Sequence, residues 1–317
     1  MMRMTYAEAA RTALAEEMRA DPTVWAVGED LGRGGVFGQY KGLREEFGAD
    51  RISDAPISEA AIMGAAFGAA MVGTRPVVEM RFADFALCAT DELVNQIAKA
   101  RFMFGGQSRA PMVIRKPMGL WRSSAAQHSQ SLESWYAHIP GLVVACPATP
   151  QDNYAMMRQA IRSDDPVVYL EHKDIWANEG DVDIGDDLAL GRARQRTEGS
   201  DVTIVSWSNT ANLAEDAAKG LAGKISAEVI DLRTLWPWDK RAVMDSVAKT
   251  GRLIVTHESV QVGGFGAEVT ATVAEHVPAK IRRLGAPRSL VSYAPNLENQ
   301  VRVTADMIAR AAVEICS

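Results

Sequence analysis

The run Asp54-Ala-Pro-Ile-Ser-Glu59, continuing into Ala60-Ala-Ile-Met-Gly-Ala-Ala-Phe-Gly-Ala-Ala-Met-Val72, is the stretch from which the fold is read. Its second part carries apolar or small residues on every face, which predicts a helix buried all round rather than an amphipathic one. That helix is too short to span a bilayer. Strand patterns lie on either side of it, at 24–27 and 76–79. The one carboxylate at its start, Glu59, feels opposing effects: desolvation favours the neutral acid, whereas the helix dipole and free N–H groups favour the anion. A plain helix cap and a catalytic acid are both compatible with this position.

The same alternation extends in both directions. Further buried strands are expected at 111–115, 142–145 and 166–170, with helices at 5–19, 41–47, 84–104, 129–138 and 151–163. Thr5 and Glu8 have the spacing of a capping box. Between 173 and 199 the chain turns irregular and acidic, as a surface linker does. Strands at 202–206, 228–231, 253–257 and 281–284 then alternate with helices at 211–221, 239–250 and 266–276. This is the pattern of α/β domains built on open, mainly parallel sheets. The expected division is a first domain over 1–180, a linker over 181–198 and a second domain over 199–317. Two domains also suit 317 residues.

Composition narrows the function. Apolar residues make up 47% and charged residues 23%, which is ordinary for a globular chain and argues against extended disorder. A net charge of −6 without a long basic run disfavours nucleic acid as the main partner. No long apolar run suggests a membrane partner, and the scattered Cys88, Cys146 and Cys316 fit a reducing compartment, so the expected location is cytoplasmic. The loop Gly32-Arg-Gly-Gly-Val-Phe-Gly38 lacks the glycine spacing of a dinucleotide fingerprint, which disfavours a nicotinamide dehydrogenase; a plain mobile loop is expected there. No nucleophile elbow and no zinc spacing are present.

The second chemical candidate is Ala125-Ala-Gln-His-Ser-Gln130, where His128 is expected near the carboxyl end of a strand, the place where open α/β sheets bind ligands. Histidine exchanges protons near neutral pH, although a locally bonded helix-start histidine reads equally well. Phe82 and Phe85 could stack on a planar heterocycle or simply fill the core. His138 and His257 are weaker candidates at element ends.

Taken in order, these stretches resemble the β subunit of the thiamine-diphosphate-dependent E1 component of 2-oxo acid dehydrogenase complexes. The resemblance runs through Gly28-Glu-Asp30, Arg51-Ile-Ser-Asp-Ala-Pro-Ile-Ser-Glu59, Gly73-Thr-Arg-Pro-Val-Val-Glu79, Ala125-Ala-Gln-His-Ser-Gln130 and Ile139-Pro-Gly-Leu142. It continues through Asp164-Asp-Pro166, Val229-Ile-Asp-Leu-Arg-Thr234, Gly266-Ala-Glu268 and Asn296-Leu-Glu298, nearly the whole chain.

The resemblance implies a pyrimidine-binding domain followed by a transketolase-like C-terminal domain, with thiamine diphosphate shared between an α and a β subunit in an α2β2 tetramer. It implies that Glu59 hydrogen-bonds N1′ of the aminopyrimidine, that Phe85 packs on that ring with Phe82 nearby, and that His128 assists as an acyl group passes to the lipoyl domain of E2. Mg²⁺ and the diphosphate would be held by the α subunit, because no Gly-Asp-Gly segment with a following Asn-Asn occurs here. K⁺ in some relatives implies a backbone-oxygen site at Met112, Ala160, Ile161, Ser163 and Asp165.

The segment Lys116-Pro-Met-Gly-Leu-Trp-Arg-Ser-Ser124 departs from the family's more glycine-rich pattern and brings Trp121 and Arg122 close to His128 in sequence. Phe102-Met-Phe-Gly-Gly106 and Glu171-His-Lys173 look more like acetoin dehydrogenase β subunits than pyruvate or branched-chain ones. Competing expectations are a split transketolase subunit moving a ketol unit between sugars, and a non-catalytic regulatory or scaffold subunit.

Overall fold

A computed structural model describes residues 1–317. The elements are β1 Met2–Thr5, α1 Tyr6–Ala20, β2 Val24–Gly28, α2 Leu43–Phe47, β3 Ile52–Asp54, α3 Glu59–Met71, β4 Arg75–Glu79, α4 Ala100–Met103 and β5 Val113–Met118. They continue with α5 Glu133–Ala137, β6 Val143–Ala145, α6 Pro150–Arg162, β7 Val167–His172, β8 Glu179–Val182, β9 Arg194–Thr197, β10 Val202–Ser206, α7 Ser208–Gly220, β11 Ala227–Asp231 and β12 Thr234–Trp236. The chain ends with α8 Lys240–Thr250, β13 Arg252–Val260, α9 Gly266–His276, β14 Lys280–Ala286, α10 Pro295–Val301 and α11 Ala305–Cys316. Two compact units result: Met1–Met118 with Trp135–Leu190, and Gly119–Ser134 with Gly191–Ser317.

In the first unit the strands run β6-β7-β5-β4-β2-β3, each parallel to its neighbours. Their runs of Val and Ile are buried on both faces, as strands of a covered parallel sheet must be. From β2 the chain leads to β3 on one side, and from β4 to β5 on the other. The crevice between the carboxyl ends of β2 and β4 is therefore a topological switch point. Gly28 lets these strands approach: a Cβ on it would stand 2.7 Å from the Glu79 carbonyl oxygen. The capping box starts α1, with Thr5 Oγ1 accepting from Glu8 N at 3.2 Å and Thr5 N donating to Glu8 at 2.9 Å. Helices α1 and α6 pack together beneath this sheet.

In the second unit the order is β14-β13-β10-β11-β9, parallel except for β9. The stretch expected to be an irregular linker thus contains two antiparallel strands: β9, and β8, which pairs with β1. Both are short and polar, so neither shows the apolar run by which the other strands are read.

Two helix expectations change. The pattern over 84–104 is not one helix but a 3-10 turn at Phe85–Ala89, a π-helical segment at Glu92–Ile97 and the short α4. Helix α3 is not buried all round. Ala61, Ala65 and Gly68 lie exposed, and the flanking Ile57 and Val72 are 76% and 82% exposed. The sequence gives α3 no polar face, so one apolar stripe stays open to a covering partner. No helix is long and apolar enough to cross a membrane.

Candidate active site

The switch point of the first unit collects charge. Glu29 and Asp30 follow β2, Arg81 follows β4, and the guanidinium bridges the two carboxylates at 3.4 and 2.5 Å. Burial raises the Glu29 carboxyl above its usual range, Arg81 lowers it, and the nearby charge of Glu59 raises it further. Glu59 is the first residue of α3, just beyond β3. Ser58 does not cap this helix, because its hydroxyl turns back to the Pro56 carbonyl at 2.8 Å. Glu59 is half-buried, and its carboxylate takes no hydrogen bond from the chain. An acceptor standing at a helix start beside a desolvated acid is available to a donor from outside the chain.

Helix α3 packs on the turn that carries Phe85. Phe82 and Phe85 meet edge to face, with ring centroids 5.6 Å apart. Their surroundings differ. Phe82 is buried against Phe37 at 6.2 Å, with Lys173 Nζ 4.7 Å from its ring centroid. Phe85 is only half-buried, which makes it the ring with surface left for a planar ligand.

Behind the crevice lies a charge row that sequence reading missed. Glu79, Arg115 and Glu171 sit on the adjacent strands β4, β5 and β7, all buried. Arg115 pairs closely with Glu171 and lies 3.6 Å from Glu79, whose carboxylate also accepts from Tyr40 at 3.0 Å and Gln39 at 3.3 Å. Burial pushes the Glu79 carboxyl up to about 7, against the opposing pull of Arg115. Lys116 points to the opposite face of β5. Its ammonium lies 4.0 Å from the Tyr136 ring centroid with no hydrogen-bond partner, and burial lowers its pKa to about 7. Only a β5 sequence reading Val-Ile-Arg-Lys, two charges inside a buried strand, could have signalled either feature.

The backbone oxygens considered for K⁺ are all engaged. Arg75 Nη1 donates to the carbonyls of Ile161 and Ser163 at 3.1 and 2.9 Å, and Nη2 to Asp164 at 2.9 Å. The Met112 carbonyl accepts from Val167 N at 3.0 Å, that of Ala160 from Ser163 N at 3.3 Å, and that of Asp165 from Ser163 Oγ at 3.0 Å. A guanidinium therefore occupies the middle of this set, although each carbonyl keeps a second lone pair.

His128 belongs to the second unit, in the loop after β5, and is half-buried. Three non-glycine residues just before it, Arg122, Ser123 and Ala125, have φ of 42°, 59° and 61°. Such left-handed backbone costs about 1 kcal/mol or more per residue and concentrates at functional sites. The Arg122 guanidinium lies 5.8 Å from the Trp121 ring. His138 is exposed. His257 is wholly buried, stacked on Trp207 at 5.1 Å, and burial lowers its pKa to about 4, so it is a neutral core histidine. The loop at 32–38 is tied down, with Gly32 N donating to Asp54 at 2.8 Å and Tyr40 N to the Gly34 carbonyl at 2.8 Å.

The comparisons agree with this architecture. Residues 2–177 match the pyrimidine-binding domain of transketolase, and residues 191–308 match the transketolase C-terminal domain. The class is thus a two-domain chain of the transketolase type. Among curated relatives, the 2-oxoisovalerate dehydrogenase subunit beta of Bacillus subtilis is 38% identical, covering 98% of each chain. The acetoin:2,6-dichlorophenolindophenol oxidoreductase subunit beta of Cupriavidus necator is 41% identical over 95% of this chain and 94% of its own. A mitochondrial pyruvate dehydrogenase E1 component subunit beta-2 of Oryza sativa is 40% identical over 99% and 86%. A solved split-gene transketolase, described as an inactive beta4 tetramer, shares the fold with a TM-score of 0.83 at 23% identity, covering 99% of this chain and 98% of its own. The chain belongs to the family of dehydrogenase E1 component β subunits.

Proposed function

We propose that the chain works with an α subunit, in an α2β2 assembly, as a thiamine-diphosphate-dependent E1 enzyme that cleaves a 2-oxo acid or acetoin and passes the acyl group to the lipoyl domain of an E2 acyltransferase. The observation that carries this reading is Glu59, an acceptor without a partner at the start of α3, the helix that packs on the turn of the half-buried Phe85. These residues fit an aminopyrimidine. Phe85 would lie against the ring, with Phe82 fixing it from behind. Glu59 would hold a proton at N1′, favouring the tautomer whose exocyclic nitrogen acts as a base. When bound, the cofactor supplies the electron sink for the bond cleavage. His128 would serve acyl transfer as a proton donor or acceptor.

No cluster of three His, Cys, Asp or Glu side chains could hold a metal ion. Mg²⁺ and the diphosphate are assigned to the α subunit on the family resemblance. The apolar stripe of α3 and the exposed Phe102 and Met103 offer surface for such a partner. K⁺ would use the second lone pairs of the Met112, Ala160, Ile161, Ser163 and Asp165 carbonyls alongside Arg75. We place the main domain division inside 181–198, between Leu190 and Gly191 where the compact units part, and the protein in the cytoplasm, where its free cysteines stay reduced.

The test is co-purification with the α subunit. The assembly is expected to bind thiamine diphosphate and reduce an artificial electron acceptor, with neither chain active alone. Sugar-phosphate activity independent of E2 would favour a split transketolase. An assembly that binds no cofactor would favour a scaffold subunit.

A further inference from the structure

The loop that carries His128 is held by two carboxylates of its own unit. The loop closes on itself through Gly119 N, which donates to the Gln130 carbonyl at 3.2 Å. Within it Ser124 N reaches the Trp121 carbonyl at 3.0 Å, and His128 N the Ala125 carbonyl at 3.4 Å. Ser124 Oγ also donates to the Trp121 carbonyl at 2.5 Å, all within a segment that holds three left-handed non-glycine residues. Leu120, Ala125 and Ser129 of the loop are buried. A cavity of about 380 Å³ lies against it, lined on the loop side by Leu120, Ala126 and Ser129 and opposite by Glu258, Val260 and Leu290.

Two carboxylate acceptors from outside the loop hold its backbone. Glu258, in β13, accepts from Leu120 N at 2.7 Å and from Ser131 Oγ at 3.1 Å, taking hold of both ends of the loop with one oxygen. Glu298, in α10, accepts from Ser123 N at 2.5 Å, within the left-handed stretch itself. Glu298 is only 3% exposed, and Arg302 pairs with its other oxygen, which fixes the rotamer. Bonds from backbone N–H to a charged acceptor are the stronger kind, able to hold a backbone that would otherwise relax.

We propose that Glu258 and Glu298 are positioning residues that clamp the His128 loop in its left-handed conformation and thereby aim His128 for acyl transfer. The proposal rests on the role assigned to His128 above. Glu298 takes the strained middle of the loop and Glu258 its base, so loss of Glu298 frees the Arg122–Ser123 bond while the ends stay anchored.

The experiment compares Glu298→Ala, Glu298→Gln and His128→Ala in the chain assembled with its α subunit. Limited trypsin digestion reads the loop through cleavage after Arg122, and steady-state acylation of a lipoyl domain reads transfer. For Glu298→Ala, cleavage after Arg122 is expected to speed up at least tenfold. The kcat of lipoyl acylation is expected to fall at least tenfold, with KM for the lipoyl domain within twofold. Glu298→Gln, whose amide oxygen still accepts from Ser123 N, is expected to recover most of both. Wild-type cleavage in Glu298→Ala overturns the clamp, and faster cleavage with unaltered acylation overturns the positioning role. Should Glu298→Ala not assemble, Glu258→Ala against Glu258→Gln gives the same two readings at the base of the loop. His128→Ala acylating at the wild-type rate would instead overturn the role of His128, leaving the cleavage data to decide the clamp separately.

Discussion

Replacing Lys116 by Met should stabilise the protein, and by an amount that depends on pH. Lys116 is wholly buried with no anionic partner, and burial alone lowers its pKa from 10.5 to about 7. That gap corresponds to about 5 kcal/mol of penalty for the charged form. The sign follows from proton counting. Between about 7 and 10.5 the unfolded chain holds a proton that the folded chain has lost, so stability rises with pH across this window. The penalty is complete below about 7, and at pH 9 about 2 kcal/mol of it remains.

Methionine fills a similar volume without a charge, but forfeits the contact with the Tyr136 ring, worth about 1–2 kcal/mol. That contact belongs to the ammonium, so it offsets the gain at pH 6 but not at pH 9, where the folded side chain is neutral: Lys116→Met is expected to gain about 3 kcal/mol at pH 6 and about 2 kcal/mol at pH 9. Urea unfolding of wild type and variant at both pH values, followed by tryptophan fluorescence, gives this difference directly. Other titrating groups are common to both proteins and cancel. A variant that is destabilised at pH 6, or whose difference from wild type does not change with pH, would show that Lys116 carries no burial penalty.

Glu79 titrates the other way. Its folded pKa, about 7 against an ordinary 4.5, means that stability is fullest below 4.5 and falls as pH rises through about 7, by about 3 kcal/mol in all. Glu79→Gln should abolish that decline, and an unchanged decline in urea midpoints between pH 4.5 and 7 would count against it. Gly28→Ala should push β2 from β4, because the new Cβ would meet the Glu79 carbonyl oxygen at 2.7 Å. A loss of about 1–3 kcal/mol is expected from such overpacking, visible as a lower melting temperature together with weaker cofactor binding by the assembly.

The order of strands and helices was legible in the sequence because most strands are continuous Val, Ile and Leu runs and most helices have sharp ends. Residues 266–276 and 202–206 have the expected bounds, and Asp239 caps α8 through Ala242 N at 3.1 Å. Helix α11 escaped despite a plain signature, the Thr304 cap followed by Ile308, Ala311, Ala312 and Ile315 at helical spacing, but the other omissions had none. Strands β8 and β9 are short, polar and held by non-local pairing. The break in the helical pattern over 84–104 carries neither Pro nor Gly, the usual markers of a break. For α3, apolarity on all faces was read as burial within one chain, whereas the fold leaves a stripe of it open.

The candidate site divides similarly. Glu59, Phe82, Phe85 and His128 could be singled out because a carboxylate before an apolar helix, a pair of rings after a strand and a histidine among polar residues stand out along the chain. Arg81 bridging Glu29 and Asp30, the Glu79–Arg115–Glu171 row and the clamp by Glu258 and Glu298 join residues far apart in sequence. Those depend on strand order, which a single sequence does not display.

The proposed chemistry depends on Glu59, and exchange of the thiamine C2 proton measures its part in it. With the α-subunit assembly loaded with thiamine diphosphate, loss of the C2 proton into deuterated buffer can be followed by NMR after acid quench. Glu59→Gln should still assemble and bind cofactor, yet slow that exchange by at least a hundredfold, about 3 kcal/mol of lost proton-transfer assistance. Exchange at the wild-type rate in a variant that assembles normally would rule out proton transfer through Glu59.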